Sequence, residues 1–203
     1  MYCILDIETT GGQFNEEGIT EIAIYKFDGH EVVDQFISLV NPEKPIQPFV
    51  VKLTGINNTM LRSAPKFYEV AKRIIEITEG CVVVAHNASF DYRILKTEFR
   101  RLGYDFKKQT LCTVELSKKL IPEQPSYSLG KLVRALGIPM ADRHRASGDA
   151  MATVKLFKML MAKDVEKEIV KSFIKTEIKS GISPKLLDIV ESLPSKTGIY
   201  YIH

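Results

Sequence analysis

An α/β domain built on a mixed sheet is the fold class that three features of the 203-residue chain predict. The chain opens on a short apolar run, Tyr2 to Leu5, and two more β-prone runs follow, Ile19 to Phe27 and Glu31 to Val40. Beyond them, segments of helical periodicity flank one further apolar run, Cys81 to Ala85. Three early strands followed by helix-strand-helix alternation suit a sheet with helices packed against it better than a bundle or a sandwich.

Each element has its own local signals. After the first strand, Gly11-Gly12 breaks the chain and Gln13 to Gly18 forms a polar loop. Ile19 to Phe27 and Glu31 to Val40 read as strands joined by the turn Asp28-Gly29-His30, which completes a meander of three strands. Pro42, Pro45 and Pro48 make an extended connection, after which Leu53-Thr54-Gly55-Ile56 begins a short helical or looped segment. Phe67 to Glu79 carries Phe67, Val70, Ala71, Ile74, Ile75 and Ile77 near helical spacing, and Gly80 ends it. Cys81 to Ala85 is a buried strand, and Phe90 to Leu102 a helix stopped by Gly103. Thr113 to Leu120 is a helix ended before Pro122, and Ser128 to Leu136 another, with Ser128 as N-cap and Gly137 as stop. Ala146 to Ala162 is a long amphipathic helix. From Asp164 to Lys179 the chain is dense in Lys and Glu with few apolar positions, the pattern of a solvent-facing helical linker. Ser183-Pro184 then caps a short helix through Ser192, and the chain finishes on an apolar, β-prone run, Gly198-Ile199-Tyr200-Tyr201-Ile202.

A chain of this length buries one good core. With 28 Lys and Arg against 25 Asp and Glu, the formal net charge of +3 neither requires nor excludes a nucleic-acid partner. Basic pairs occur at Arg100-Arg101, Lys107-Lys108, Lys118-Lys119 and around Arg143 and Arg145, most simply as solvated faces. Cys3, Cys81 and Cys112 are scattered, and two lie in apolar strands; this suits reduced, packed thiols rather than a disulfide frame or zinc site. No apolar run approaches membrane-spanning length and the chain begins directly on a core strand, so a cytosolic protein without signal peptide or membrane partner is expected.

The chemistry-bearing residues cluster at element ends. Asp6 and Glu8, two apart on a strand, point to the same side and share one pocket. Two carboxylates a few Å apart raise each other's pKa unless something positive lies between them, and a divalent cation is the usual answer. Taken alone, the pair is more simply a solvated strand end. Two further segments change that balance: His86-Asn87-Ala88-Ser89-Phe90-Asp91, where Asp91 opens a helical pattern, and His144-Arg145-Ala146-Ser147-Gly148-Asp149, where a histidine precedes an aspartate by five positions.

In order and spacing these blocks, Asp6-Ile7-Glu8-Thr9-Thr10-Gly11, Asn87-Ala88-Ser89-Phe90-Asp91 and His144 to Asp149, resemble the DEDDh family of 3′ to 5′ exonucleases, in particular the DnaQ-like, proofreading epsilon-subunit type. The resemblance covers roughly residues 1–165 and implies a ribonuclease H-like, mixed five-stranded sheet flanked by helices. Residues 166–193 then form a helical linker. Residues 194–203, with Gly198-Ile199-Tyr200, resemble the truncated start of a GIY-YIG endonuclease domain, the alternative being a terminal edge strand. By resemblance, Asp6 bridges two divalent cations, Mg²⁺ or Mn²⁺; Glu8 and Asp149 complete the site that holds the attacking water, and Asp91 holds the second ion. His144 is the general base, and Arg145, at the position of the base in the tyrosine variant of the family, indicates the histidine class. His86 is expected to make a structural hydrogen bond instead. For the substrate, Thr9, Thr10 and Gly11 hold the terminal nucleotide, Leu53 and Thr54 wedge against the last base and approach the 3′ hydroxyl, Asn87 and Phe90 lie near the penultimate nucleotide, and Arg145, with Arg143, meets phosphate. Tyr127-Ser128-Leu129 offers an aromatic or a helix N-terminus to a phosphate, or simply a buried Tyr.

The resemblance implies a metal-dependent 3′ to 5′ exonuclease that releases nucleoside monophosphates from single-stranded or frayed DNA ends, working beside a DNA polymerase or a repair nuclease domain. An RNA-trimming enzyme is the rival within the same chemistry, opposed by Thr9, where the oligoribonuclease branch usually carries Met. A nuclease-shaped binding or tethering module is the rival from another class, opposed by the complete acid set.

Overall fold

A computed structural model describes residues 1–176 of the chain. Five strands, β1 (Tyr2–Thr9), β2 (Ile19–Phe27), β3 (Val32–Leu39), β4 (Val82–Ala85) and β5 (Thr110–Cys112), form one sheet in the order β3-β2-β1-β4-β5. β1 is central. It pairs antiparallel with β2, which pairs antiparallel with β3, while β4 and β5 run parallel to it. The mixed sheet expected from the sequence is therefore present. The turn between β2 and β3 is closed by Asp28, whose Oδ1 accepts the N–H groups of His30 and Glu31 at 2.7 and 2.9 Å.

Side-chain alternation along β1 separates two layers. Cys3, Leu5 and Ile7 face α3 (Phe67–Thr78) and α4 (Ala88–Arg101), with which they form one apolar core. Ile4 faces the opposite core, built with α5 (Thr113–Leu120), α6 (Leu129–Ala135) and α7 (Ala146–Lys163). Asp6 and Glu8 continue the Ile4 row, so the strand carries its acids out of a sealed core toward the start of α7. Ala146 and Ala150, both fully buried, present no bulk on that face and let the start of α7 approach the sheet. Its later turns carry Phe157, whose ring meets Tyr2 edge-on at 4.9 Å and Phe27 at 6.4 Å. A smaller core of Ile46, Val50, Ile56 and Leu61 lies under α1 (Pro48–Thr54) and α2 (Asn58–Leu61).

Four sequence expectations are corrected. The helix near Leu53 ends there instead of beginning: α1 starts at Pro48, where a missing N–H costs nothing, and Thr54 is its last residue. β5 lay unrecognised because three residues carry no readable period; it takes its identity from parallel pairing with β4. Ser128 stands at the N-cap of α6 but its hydroxyl makes no cap, lying 3.2 Å from the Ser126 hydroxyl. Residues 164–176 are largely exposed, as expected of a linker, but are docked to the domain at three points. Asp164 Oδ2 accepts the Val170 N–H at 2.7 Å, Val170 of α8 (Glu168–Ser172) is fully buried in the α7 core, and Lys175 exchanges backbone hydrogen bonds of 2.8 and 2.9 Å with Thr110 on the edge of β5. The remainder of the linker and the terminal segment resembling a GIY-YIG start lie outside the described residues.

Because Phe157 fills the space between α7 and two strands, Phe157→Ala should lower the unfolding free energy by about 3–5 kcal/mol. Urea titration should show a reduced midpoint at unchanged slope. A loss below about 1 kcal/mol would mean that this face is not closely packed.

Candidate active site

The end of β1 and the first turn of α7 bring three carboxylates together. One oxygen each from Asp6, Glu8 and Asp149 lies within 4.8 Å of the others, the one such group of three or more potential ligands among the described residues. Asp149 Oδ2 accepts the backbone N–H of His144 at 3.3 Å, whereas its Oδ1 is buried and has no hydrogen-bond partner. Asp91, in the first turn of α4, stands beside this triad rather than in it, and its Oδ1 accepts the N–H of Ile7 at 3.1 Å. β4 explains that bond: it pairs with β1 only as far as Ile4 opposite Val84, so Ile7 lies beyond its end.

Burial and mutual repulsion dominate the electrostatics. Desolvation, followed by the charges of Asp91, Asp149, Glu8 and Glu21, holds Asp6 well above the ordinary carboxylate range. Glu8 is pushed up to about 8 by burial and then by Asp149, Glu21 and Asp91, with Arg145 pulling the other way. Burial also pushes Asp91 to about 8, against its backbone hydrogen bonds, and raises Asp149 against the His144 N–H. Acids this reluctant to ionise, one with an orphaned buried oxygen, fit a hard divalent cation, which favours the charged form of each and accepts oxygen ligands only.

The other expected site residues divide into those that face the pocket's surroundings and those the fold already uses. His144 adopts left-handed backbone geometry, φ +63°, and is half-buried. Gly148 makes that turn possible, since a Cβ there would fall on the carbonyl oxygens of Ala141 and Asp142. Thr9 is half-buried and its hydroxyl accepts the Gly11 N–H at 3.3 Å. Gly11, at φ +67°, lies under α1, where a Cβ would meet Val50 Cγ2 at 3.0 Å and Phe49 Cζ at 3.1 Å. Leu53 is 51 % exposed on α1, and Asn87 is exposed at the left-handed start of α4, with Phe90 half-buried one turn on.

Three residues expected at the substrate have side chains already engaged within the fold. Thr10 is 1 % exposed; its hydroxyl donates to Gly11 O and accepts the Gly18 N–H, and its backbone bonds Gly18 and Gln47, so it ties the loop after β1 to α1. Thr54 is buried, its hydroxyl donating to Val50 O at 3.0 Å and accepting the Ile56 N–H at 3.1 Å, which makes it a helix-end clasp. Arg145 gives its guanidinium to Glu21, with Nε at 3.0 and 3.2 Å and Nη2 at 2.6 Å from the carboxylate. Glu21 was missed by sequence reading, although an acid inside the apolar run Ile19 to Phe27 was the available signal. His86 is structural as expected: Nε2 donates to Tyr127 O at 2.8 Å, Nδ1 meets the Thr113 hydroxyl at 2.9 Å, and burial pushes its pKa down. Tyr127 in turn donates its hydroxyl to the carbonyl oxygens of Ile121 and Pro122, which orients it inward.

A central strand ending in acids, completed by acids from helices on both faces of the sheet, defines a ribonuclease H-like nuclease domain. Within that class the chain belongs to the exonuclease family, whose sequence profile matches residues 3–157. It is 36 % identical over 201 residues to a PolC-type DNA polymerase III of Caldanaerobacter subterraneus subsp. tengcongensis and 35 % identical over 163 residues to the 3′-5′ exonuclease DinG of Staphylococcus aureus. Those matches take in 99 % and 80 % of this chain but 14 % and 18 % of the relatives' lengths. Among solved structures it is similar to exonuclease X in complex with 5′ overhanging duplex DNA, at 31 % identity and TM-score 0.65 over 81 % of this chain and 93 % of that one. Exonuclease I of E. coli in complex with a dT13 oligonucleotide shares the fold, at 21 % identity and TM-score 0.72 over 81 % of this chain and 42 % of that one.

Carboxyls whose pKa is raised in the folded state bind protons there that the unfolded chain has already lost. Their effect on stability is therefore most favourable below about pH 4 and is lost as pH rises toward 8. In chelator, the melting temperature should fall between about pH 5.5 and pH 8.5, and added Mg²⁺ or Mn²⁺ should raise it more at the higher pH, where fewer protons compete. Scanning calorimetry at both pH values checks this; a metal-induced gain that is larger at the lower pH would contradict the site.

Proposed function

We propose that this chain is a metal-dependent 3′ to 5′ exonuclease that releases nucleoside monophosphates from single-stranded or frayed DNA ends. The observation that carries the reading is the convergence of Asp6, Glu8 and Asp149 with the unpartnered Asp149 Oδ1. In support, DNA-acting relatives and exonuclease X align over most of this chain. Two divalent cations, Mg²⁺ or Mn²⁺, would supply Lewis-acid chemistry when bound, activating a water and neutralising charge on the leaving oxygen. Asp6, Glu8, Asp91 and Asp149 are the residues that would hold them. His144 would take the proton from the attacking water as general base. Thr9, Gly11 and Leu53 line the approach of the terminal nucleotide, and Asn87 and Phe90 that of the next one. The partner is the 3′ end of a DNA strand, presented by a polymerase as the PolC-type relative suggests, or by repair machinery. No helix among the described residues is long and apolar enough to cross a membrane, and the three cysteines are free thiols, in keeping with a cytoplasmic place of work.

Digestion of 5′-labelled single-stranded DNA, duplex DNA and RNA with Mg²⁺, Mn²⁺ or EDTA should yield a ladder shortening from the 3′ end, fastest on single-stranded DNA and absent in EDTA. Faster cutting of RNA would reassign the substrate. Asp6→Ala and Asp149→Ala should each abolish hydrolysis while far-ultraviolet circular dichroism stays native; full turnover in either variant would end the proposal.

His144→Ala should slow single-turnover cleavage by about two to four orders of magnitude while metal binding persists. An unchanged rate would remove His144 as the base.

A further inference from the structure

Glu21 lies directly opposite Glu8 in the antiparallel register of β1 and β2 and is 2 % exposed. A carboxylate there adds negative charge to a pocket already crowded with it, and it raises the pKa of Asp6, Glu8 and Asp149 alike. Such a residue is a liability to the metal-free site unless it does something else. What it does is visible in its partners. The Arg145 guanidinium grips it through Nε and Nη2, and its Oε2 also accepts the backbone N–H of Ala146 at 2.8 Å. Arg145 is the N-cap of α7 and Ala146 its first residue, so both partners follow directly on His144.

That link needs an anchor. His144 is in left-handed geometry, and its N–H reaches Asp149 only at 3.3 Å, a weak bond for holding a strained turn. Gly148 adds room for the turn but no grip. The forked bonds to Glu21 are short and charge-assisted, and they run to a strand whose position relative to β1 is set by the sheet. We infer that Glu21 and Arg145 are a positioning pair that fixes the turn carrying His144 and Asp149 against the acids of β1, so that metal affinity and turnover depend on two residues that touch neither cation nor DNA.

This inference rests on the proposed exonuclease function and deepens it. It also gives Arg145 a role different from a phosphate contact: its charge is spent within the protein. Lys is a poor substitute, because an ammonium lacks the planar fork through which Nε and Nη2 meet the two carboxylate oxygens. Loss of supporting partners of this kind usually reduces metal affinity or activity by about 10–100-fold.

The test uses the full chain with Arg145→Lys, Arg145→Gln, Glu21→Gln and the Glu21→Gln/Arg145→Gln double variant. Mn²⁺ affinity is read by electron paramagnetic resonance without DNA, and kcat and KM are read on a single-stranded oligonucleotide. Each single variant should weaken Mn²⁺ binding and lower kcat by about 10–100-fold, with KM for DNA within about twofold. The double variant should be no worse than the poorer single one, because both remove the same bond. If Glu21→Gln fails to fold, Arg145→Lys carries the test, since it keeps the charge on a guanidinium position that is 36 % exposed. Unchanged Mn²⁺ affinity and kcat in the Arg145 variants would overturn the inference. So would a rise in KM at constant kcat with the salt slope reduced by about one, which would return Arg145 to a phosphate. Wild-type protein that neither binds Mn²⁺ nor cuts any strand would instead refute the function on which the pair depends.

Discussion

Mutual repulsion among acids at the end of a buried strand is the constraint on which the rest of this structure depends. Asp6 sits at the edge of the apolar core with Asp91, Asp149, Glu8 and Glu21 all raising the cost of its charge. No arrangement of apolar packing relieves that. A hydrophobic strand ending in a polar cluster is tolerated because the cores on both faces of β1 are large and closed, with Ile4, Leu5 and Cys3 fully excluded from water. The site is thus a local instability carried by a stable sheet, as functional sites commonly are.

The sheet's topology makes that instability useful. β1 is central but its neighbours are unequal: β2 accompanies it to Thr9, whereas β4 stops level with Ile4. Beyond that stop, α4 can bring Asp91 to the backbone of Ile7, and α7 can bring Asp149 from the opposite face. Acids from three distant segments therefore meet at one strand end without passing through the core. In open α/β sheets the end of a central strand where neighbouring strands diverge is the general place for such a crevice.

Compensation for the charge comes in two forms. The triad of Asp6, Glu8 and Asp149, with an orphaned buried oxygen on Asp149, fits a hard cation. Arg145 answers Glu21 with a guanidinium that is permanently charged and geometrically matched to a carboxylate. Removable charge lies where chemistry is proposed and fixed charge where the frame must stay still. The exonuclease family's match, residues 3–157, takes in every one of these acids.

Sequence reading recovered the α/β class, the first four strands and the major helices, and it singled out Asp6, Glu8 and Asp149, which the fold brings together, because periodicity and acid spacing are local properties of the chain. The alternation that puts Asp6 and Glu8 on one face needs no partner to be true. It is silent where the decisive fact is a neighbour. Thr10 and Thr54 look like exposed hydroxyls at element ends until loop and helix close over them, and Arg145 looks like a phosphate ligand until Glu21 arrives from another strand. β5 and the docked segment through Lys175 owe their structure to edge pairing, which three-residue windows and Lys-rich composition conceal. The sequence by itself determined which residues could do the chemistry. Only the tertiary structure decided which of them are free to do it, because hydrogen-bond capacity is finite and what a side chain spends within the fold it cannot offer to a ligand.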